Sequence, residues 1–149
     1  MQSVQTAPHV LTVMEADLSR VLADQAQKKE CLASEGLRLT LAAYFVAAIA
    51  NALRINPSVN SSWTDQGIQI HRQINIGIAV SLGEEGLIVP VIKDVDALSL
   101  VGIARTVNDL ADRARAKKLQ SNEVRGGTFT LTNHGIGGSL FAFPIINQP

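Results

Sequence analysis

From Pro8 to Asp17 the apolar residues Val10, Leu11, Val13 and Met14 lie among Thr12 and Glu15, which predicts a strand with one buried face. Asp17 or Ser19 then caps a helix that runs to about Glu30 through Leu18, Val21 and Leu22. Its outer face is polar, and Lys28 and Lys29 sit near its C-terminal end, where cations suit the helix dipole. After Gly36, Thr40 stands directly before LAAYFVAAIANALRI, an almost wholly apolar run of helical period that ends before Asn56-Pro57 and predicts a buried helix. The stretch 57–67, rich in Ser and Asn, reads as a loop. Beyond it Ile68, Ile70, Ile74, Ile76, Ile78 and Val80 alternate, a Gly-Glu-Glu-Gly turn follows, and Leu87 to Val91 is apolar again. This is the pattern of two strands joined by a short loop.

Ser99 caps a long amphipathic helix, with Leu100, Ile103, Val107, Leu110 and Ala114 on one face and Arg105, Asp109, Asp112 and Arg113 on the other. Gly126-Gly127 closes the polar segment after it. Thr128 to Asn133 alternates as a strand, His134 to Ser139 is a glycine-rich loop, and Phe141 to Ile146 predicts a further strand. Strands and helices alternating in this order predict an α/β two-layer sandwich.

The chain has 149 residues, 46% of them hydrophobic, and shows no shift in composition, so one domain with one core is expected. Thirteen basic and thirteen acidic residues give a net charge of zero, which argues against nucleic acid and against a membrane surface as partners. The longest apolar run, Leu41 to Ala50, is too short to span a bilayer, and no secretory leader pattern precedes Thr6. A soluble protein that is not exported is therefore expected. The one cysteine, Cys31, has no partner for a disulfide and no His/Cys cluster for a metal; its polar helical setting reads as structural, not nucleophilic. Gly83 to Pro90 is a poor phosphate cradle, because its two acidic residues repel phosphate and no Lys-Ser follows. Lys93, Asp94 and Asp96 read as solvated loop charges.

Three separated blocks, in order, carry a resemblance: TAPHVLTVMEADLSRV, NIGIAVSLGEEGLIVPVIKDVDALSLVGIARTVNDLADRAR and GGTFTLTNHGIGGSLFAFPIINQP. They resemble the catalytic domain of the dihydrolipoamide acyltransferases, the E2 components of 2-oxo-acid dehydrogenase complexes. The resemblance runs from Thr6 to the last residue and covers about the first two thirds of the usual domain. It implies that residues 1–5 are a linker or a cloning remnant and 6–149 a catalytic domain lacking its C-terminal part. The implied fold is the chloramphenicol-acetyltransferase-like two-layer sandwich, a mixed sheet with helices on one face.

The chemistry implied is transfer of an acyl group between the thiols of coenzyme A and dihydrolipoamide through a tetrahedral intermediate. Such a reaction needs a base for the thiol proton and a donor for the oxyanion. In the family the base is the histidine of an H-x-x-x-D-G motif and the donor is a Ser or Thr hydroxyl, which falls here on Thr132, just before the glycine-rich loop. By spacing alone Thr132 is an ordinary strand residue. His9, His71 and His134 are followed four places later by Val13, Asn75 and Gly138, so none begins that motif. His134 reads as a polar loop residue and His9 as structural or exposed.

The resemblance further implies coenzyme A and a lipoyl group on a separate domain as substrates, with no metal. It implies a homotrimer that builds a larger core, the E1 and E3 components and a lipoyl domain as partners, and the cytoplasm as the location, or the mitochondrial matrix in a eukaryote. Two other readings stay open at this point: a non-catalytic assembly module of the same fold, and an O-acetyltransferase of the chloramphenicol acetyltransferase type acting on a small molecule.

Overall fold

The computed structural model describes residues 9–135 and 138–143. Three α-helices form within them: α1 (Ser19–Ser34), α2 (Leu41–Ile55) and α3 (Leu100–Arg115). Neither Asp17 nor Ser19 is the cap expected: Leu18 holds the N-cap position of α1 with no side-chain cap, and Asp17 Oδ1, one residue earlier, accepts from the Ser19 amide at 2.8 Å and from its hydroxyl at 2.6 Å. The helix outlasts the expected end at Glu30 and stops only where Gly36 turns left-handed at φ 73°, so that the Leu37 amide bonds back to the Leu32 carbonyl at 2.9 Å. Only one stripe of α2 is buried, Ala43, Val46, Ala50 and Leu53, although nearly the whole helix is apolar. Ser99 caps α3 as expected, accepting from the Gly102 amide at 3.1 Å, and Ile103, Ala104, Val107, Leu110 and Ala114 face inward.

The seven strands are β1 (Ser61–Thr64), β2 (Gly67–Ile70), β3 (Ile76–Ile78), β4 (Val80–Ser81), β5 (Leu87–Ile88), β6 (Val91–Ile92) and β7 (Phe129–Leu131) among the described residues. The central sheet has the order β6-β3-β7, with β6 antiparallel and β7 parallel to β3. Alternation along these strands separates two faces. Ile76, Ile78, Ile92, Phe129 and Leu131 turn toward the helices and join their buried residues in one core. Each fully buried Ile, Leu or Val there contributes about 1.5–3 kcal/mol relative to exposure. Gly77, Val91 and Thr130, paired in register, share the opposite face, and Val91 is buried without belonging to that core. A Cβ on Gly77 would come within 2.8 Å of Val89 Cγ1, which is why the middle of β3 has no side chain.

Asn75, immediately before β3, ties the three strands together. Its amide nitrogen donates to the Gly126 carbonyl at 2.9 Å, and its side-chain oxygen accepts from the Asp94 amide at 2.9 Å. Its own backbone carbonyl accepts from the Thr128 amide at 2.8 Å, and its backbone N–H donates to Thr128 Oγ1 at 3.1 Å. Asp94 adopts a left-handed conformation, φ 47°, that presents its amide to this contact. Asn75→Ala leaves a carbonyl and an amide without partners, and each such group costs about 1–3 kcal/mol when buried. The urea midpoint of the variant should fall well below that of the parent chain; an unchanged midpoint would show that water replaces both contacts without loss.

Behind α3, Arg113 holds Glu123 through two nitrogens at 2.6 Å each and also reaches Asp109 at 2.7 Å. The paired guanidinium, helped by the Gln120 amide, holds the Glu123 carboxyl down at about 2 from an ordinary 4.5. A depressed folded-state pKa gives stability that is fully present above the unfolded value and is lost as pH falls through the folded one. The stability difference between the parent chain and Glu123→Gln should therefore be constant above about pH 5 and close as pH drops from 4.5 toward 2. A difference that stayed constant over that range would mean that charge contributes nothing there.

Three further expectations fail. Residues 9–17 form no strand: Val10 is 90% and Met14 87% exposed, and among the described residues no strand lies in a ladder with this segment, so its alternation has no sheet to face. The expected loop 57–67 contains β1, because Thr64 Oγ1 accepts from the Gln66 amide and donates to the Gly67 carbonyl, closing a turn in which Gly67 has φ 116°. Ile68 and Ile70 thus belong to a separate hairpin with β1, not to the central sheet. Phe141 to Phe143 are exposed and form no strand, and the rest of that expected strand, Pro144 to Ile146, lies outside the described residues. The hairpin expected around Gly-Glu-Glu-Gly is present as β4–β5.

Candidate active site

Thr128 anchors the start of β7 to Asn75, and the Ala79 amide donates to the Leu131 carbonyl at 3.0 Å at its end. Phe129 and Leu131 are half-buried against the core, so by alternation Thr130 and Thr132 emerge on the other side of the strand; both are exposed. Thr132 is the first residue past β7, held at its root by a sheet and open at its hydroxyl. The chain then turns: Asn133 Oδ1 accepts from the Gly135 amide at 3.1 Å, and Gly138, at φ 78°, donates its amide to the Gly135 carbonyl at 3.1 Å. A left-handed backbone at Gly138 favours glycine.

A fixed neutral hydroxyl in this setting can donate a hydrogen bond to an oxygen that gains charge. The three histidines are placed differently. His71 shares a 2.8 Å hydrogen bond with Ser62 Oγ, and its backbone bonds to Asn60 at both N–H and carbonyl, so it closes the β1–β2 hairpin. His9 packs edge-on against Phe143, with ring centroids 6.0 Å apart. His134 is exposed in the loop. Cys31 is exposed on α1, and Lys93 bonds to the Arg125 carbonyl. Among the described residues, no group of three or more His, Cys, Asp or Glu is arranged to hold a metal ion, and no helix is long and apolar enough to cross a membrane.

A cavity of about 350 Å³ is lined by residues of α3 and of the segment around β6, among them Ile92, Lys93, Thr106, Leu110, Arg113 and Glu123; Thr132 is not in its wall. Sequence reasoning missed Asn75, whose role depends on contacts with residues 94, 126 and 128; a lone asparagine ahead of an apolar strand carries no signal of that.

The fold is that of an α/β domain with an exposed threonine, Thr132, at the exit of a parallel strand. The family model for the 2-oxoacid dehydrogenases acyltransferase catalytic domain matches residues 1–149, and the chain belongs to that family. It is 41% identical over 143 residues to the lipoamide acyltransferase component of the branched-chain alpha-keto acid dehydrogenase complex of Bacillus subtilis, covering 95% of this chain and 34% of that protein. Relatives named for acetyl and succinyl transfer are 40% and 38% identical, so overall likeness does not select an acyl group.

A probable dihydrolipoamide acetyltransferase of Listeria monocytogenes superposes with a TM-score of 0.93 at 39% identity, over 99% of this chain and 63% of that one. Two further solved chains superpose at 0.92 with 33% identity, over 99% of this chain and 61% of each. One is the dihydrolipoamide acetyltransferase of Azotobacter vinelandii, in which a serine, a histidine and an asparagine were investigated for their role in catalysis; the other is the cubic core of a pyruvate dehydrogenase multienzyme complex. The fold is accordingly that of the acyltransferase cores, as the resemblance implied. The chain spans about a third of the curated relatives' length, 34% for the first of them.

Proposed function

We propose that this chain is the donor-bearing part of an acyltransferase domain that moves an acyl group between coenzyme A and dihydrolipoamide in a 2-oxo-acid dehydrogenase complex. The observation that carries the reading is Thr132, an exposed hydroxyl held at the end of β7 in a chain of this family. The thiol of one substrate attacks the thioester carbonyl of the other and gives up its proton to a base. The carbonyl oxygen becomes an oxyanion, to which the Thr132 hydroxyl donates a hydrogen bond, and collapse expels the second thiolate. The base is a histidine in an H-x-x-x-D-G motif that this segment does not contain. It belongs to the remainder of the family domain and reaches Thr132 across a boundary between neighbouring copies in a trimer.

The lipoyl group arrives on its own domain, the E1 and E3 components complete the complex, trimers build a larger core, and the cytoplasm or mitochondrial matrix is the site of action. Likeness along nearly the whole chain to lipoamide acyltransferases supports a lipoyl thiol as acceptor over a free small molecule and over a purely architectural role. The deciding experiment is a transfer assay between acetyl-coenzyme A and dihydrolipoamide on a protein that carries this segment within the whole family domain. Transfer undiminished by loss of the Thr132 hydroxyl would remove the reading.

A further inference from the structure

At its start β7 is anchored by Thr128 to Asn75, and its end is tied by the bond from the Ala79 amide to the Leu131 carbonyl at 3.0 Å. Thr132 lies one residue beyond that bond and is exposed. A β-branched side chain is stiff at χ1, so the direction of the Thr132 hydroxyl follows the direction of its backbone. Whatever fixes the chain just past Thr132 therefore aims the hydroxyl. The next hydrogen bond along the described chain is made by a side chain: Asn133 Oδ1 accepts from the Gly135 amide at 3.1 Å, closing an Asx turn around His134. That oxygen lies so close to Gly135 that a Cβ there would meet it at 3.4 Å. The Gly135 carbonyl in turn accepts from the Gly138 amide at 3.1 Å, which ties the turn into the loop that follows. Asn133 is itself exposed, so no core packing calls for an amide at this position.

We propose that Asn133 is the positioning residue for the Thr132 hydroxyl: its Asx turn fixes the peptide between the two residues, and with it the angle at which the hydroxyl faces the reacting carbonyl. The proposal rests on the reading of Thr132 as the oxyanion donor and adds how an exposed residue past the end of a strand is held still. A donor serves an oxyanion only if it is fixed before the charge appears, within about 0.5 Å and about 10–20° of the productive geometry. Without the Asn133 side chain the backbone after Leu131 loses its local tie, and the hydroxyl samples directions that miss the oxygen. The fold does not depend on this turn, because Asn133 is exposed and its bond joins neighbours within one loop.

A double-mutant cycle tests this in a protein that carries the segment within the complete family domain, with steady-state kinetics in acetyl-coenzyme A and dihydrolipoamide and a thermal melt of each variant. Asn133→Ala should lower kcat by roughly tenfold to a hundredfold, the scale of an ångström-sized misplacement, with KM and melting temperature hardly moved. Asn133→Ser keeps an oxygen that accepts from the same amide and should recover most of the rate. In the Thr132→Ala background, Asn133→Ala should bring no further loss, because no hydroxyl is left to aim. A loss that multiplies on that of Thr132→Ala would overturn the proposal, as would a serine variant as slow as the alanine one. So would Asn133→Ala at the parent's rate, or one that melts well below the parent and so shows the turn to hold the fold. These outcomes leave the Thr132 assignment standing; it falls, and the positioning role with it, only if Thr132→Ala itself turns over at the parent's rate.

Discussion

Incubated with acetyl-coenzyme A and dihydrolipoamide, the 149-residue chain alone should transfer no acetyl group above the uncatalysed background. The reaction needs a thiolate and a stabilised oxyanion at the same moment, and on the proposed reading Thr132 serves the second while the base for the first lies in an H-x-x-x-D-G motif that the 149 residues do not contain. A positioned general base contributes about a hundred- to ten-thousandfold, and while the attacking thiol keeps its proton the thioester carbonyl oxygen gains little charge for a donor hydroxyl to meet. Of the three histidines, His71 is engaged with Ser62 and Asn60, and His9 packs on Phe143. That leaves His134, exposed two residues beyond Thr132, as the internal rival. Following acetyl-dihydrolipoamide by chromatographic separation from acetyl-coenzyme A decides the matter. Turnover near that of a complete family member, abolished by His134→Ala, would move the role of base to His134.

Much of the fold is legible in the sequence because local signals and tertiary demands agree there. Ser99 before a run with apolar residues at helical spacing predicts α3, and the cap and buried face are found where expected. The Gly-Glu-Glu-Gly turn predicts a hairpin, and Gly83 and Gly86 take φ 70° and 100° within it. Legibility ends where a pattern needs a partner that the sequence does not name. Val10 to Met14 alternates like a strand yet finds no sheet, and Ile68 and Ile70 alternate like core residues yet face solvent. Alternation reports that a segment has an apolar side, not what covers it. The Thr64–Gly67 turn was hidden for a different reason, since β1 reads Ser-Ser-Trp-Thr and is polar enough to pass for loop. Thr132 is the reverse case: spacing alone makes it a strand threonine, and only family likeness singles it out. The structure adds that this threonine stands exposed at the exit of β7, whereas Thr128 at the entrance is absorbed into the Asn75 network.

That contrast sets the second large effect. In a protein that carries this segment within the complete family domain, Thr132→Ala should lower kcat for acetyl transfer by about a hundred- to a thousandfold, or about 3 kcal/mol of transition-state stabilisation. The reasoning depends on when the hydroxyl acts. The ground-state thioester carbonyl is a weak acceptor that water or a backbone amide satisfies nearly as well, so Michaelis constants should hardly move. The tetrahedral intermediate carries a full charge on that oxygen, and a water that takes the place of the missing donor must first be oriented, whereas the hydroxyl is held in place beforehand. Thr132→Ser keeps the hydroxyl on the same backbone and should retain most of the activity. Thr132 is exposed and lies outside the core, so its alanine variant should also melt like the parent, which separates lost chemistry from lost fold. Steady-state kinetics in both substrates, with thermal melts of all three proteins, test the assignment. A fall in kcat/KM carried by KM alone would make Thr132 a binding residue; an unaltered kcat would place the oxyanion donor elsewhere.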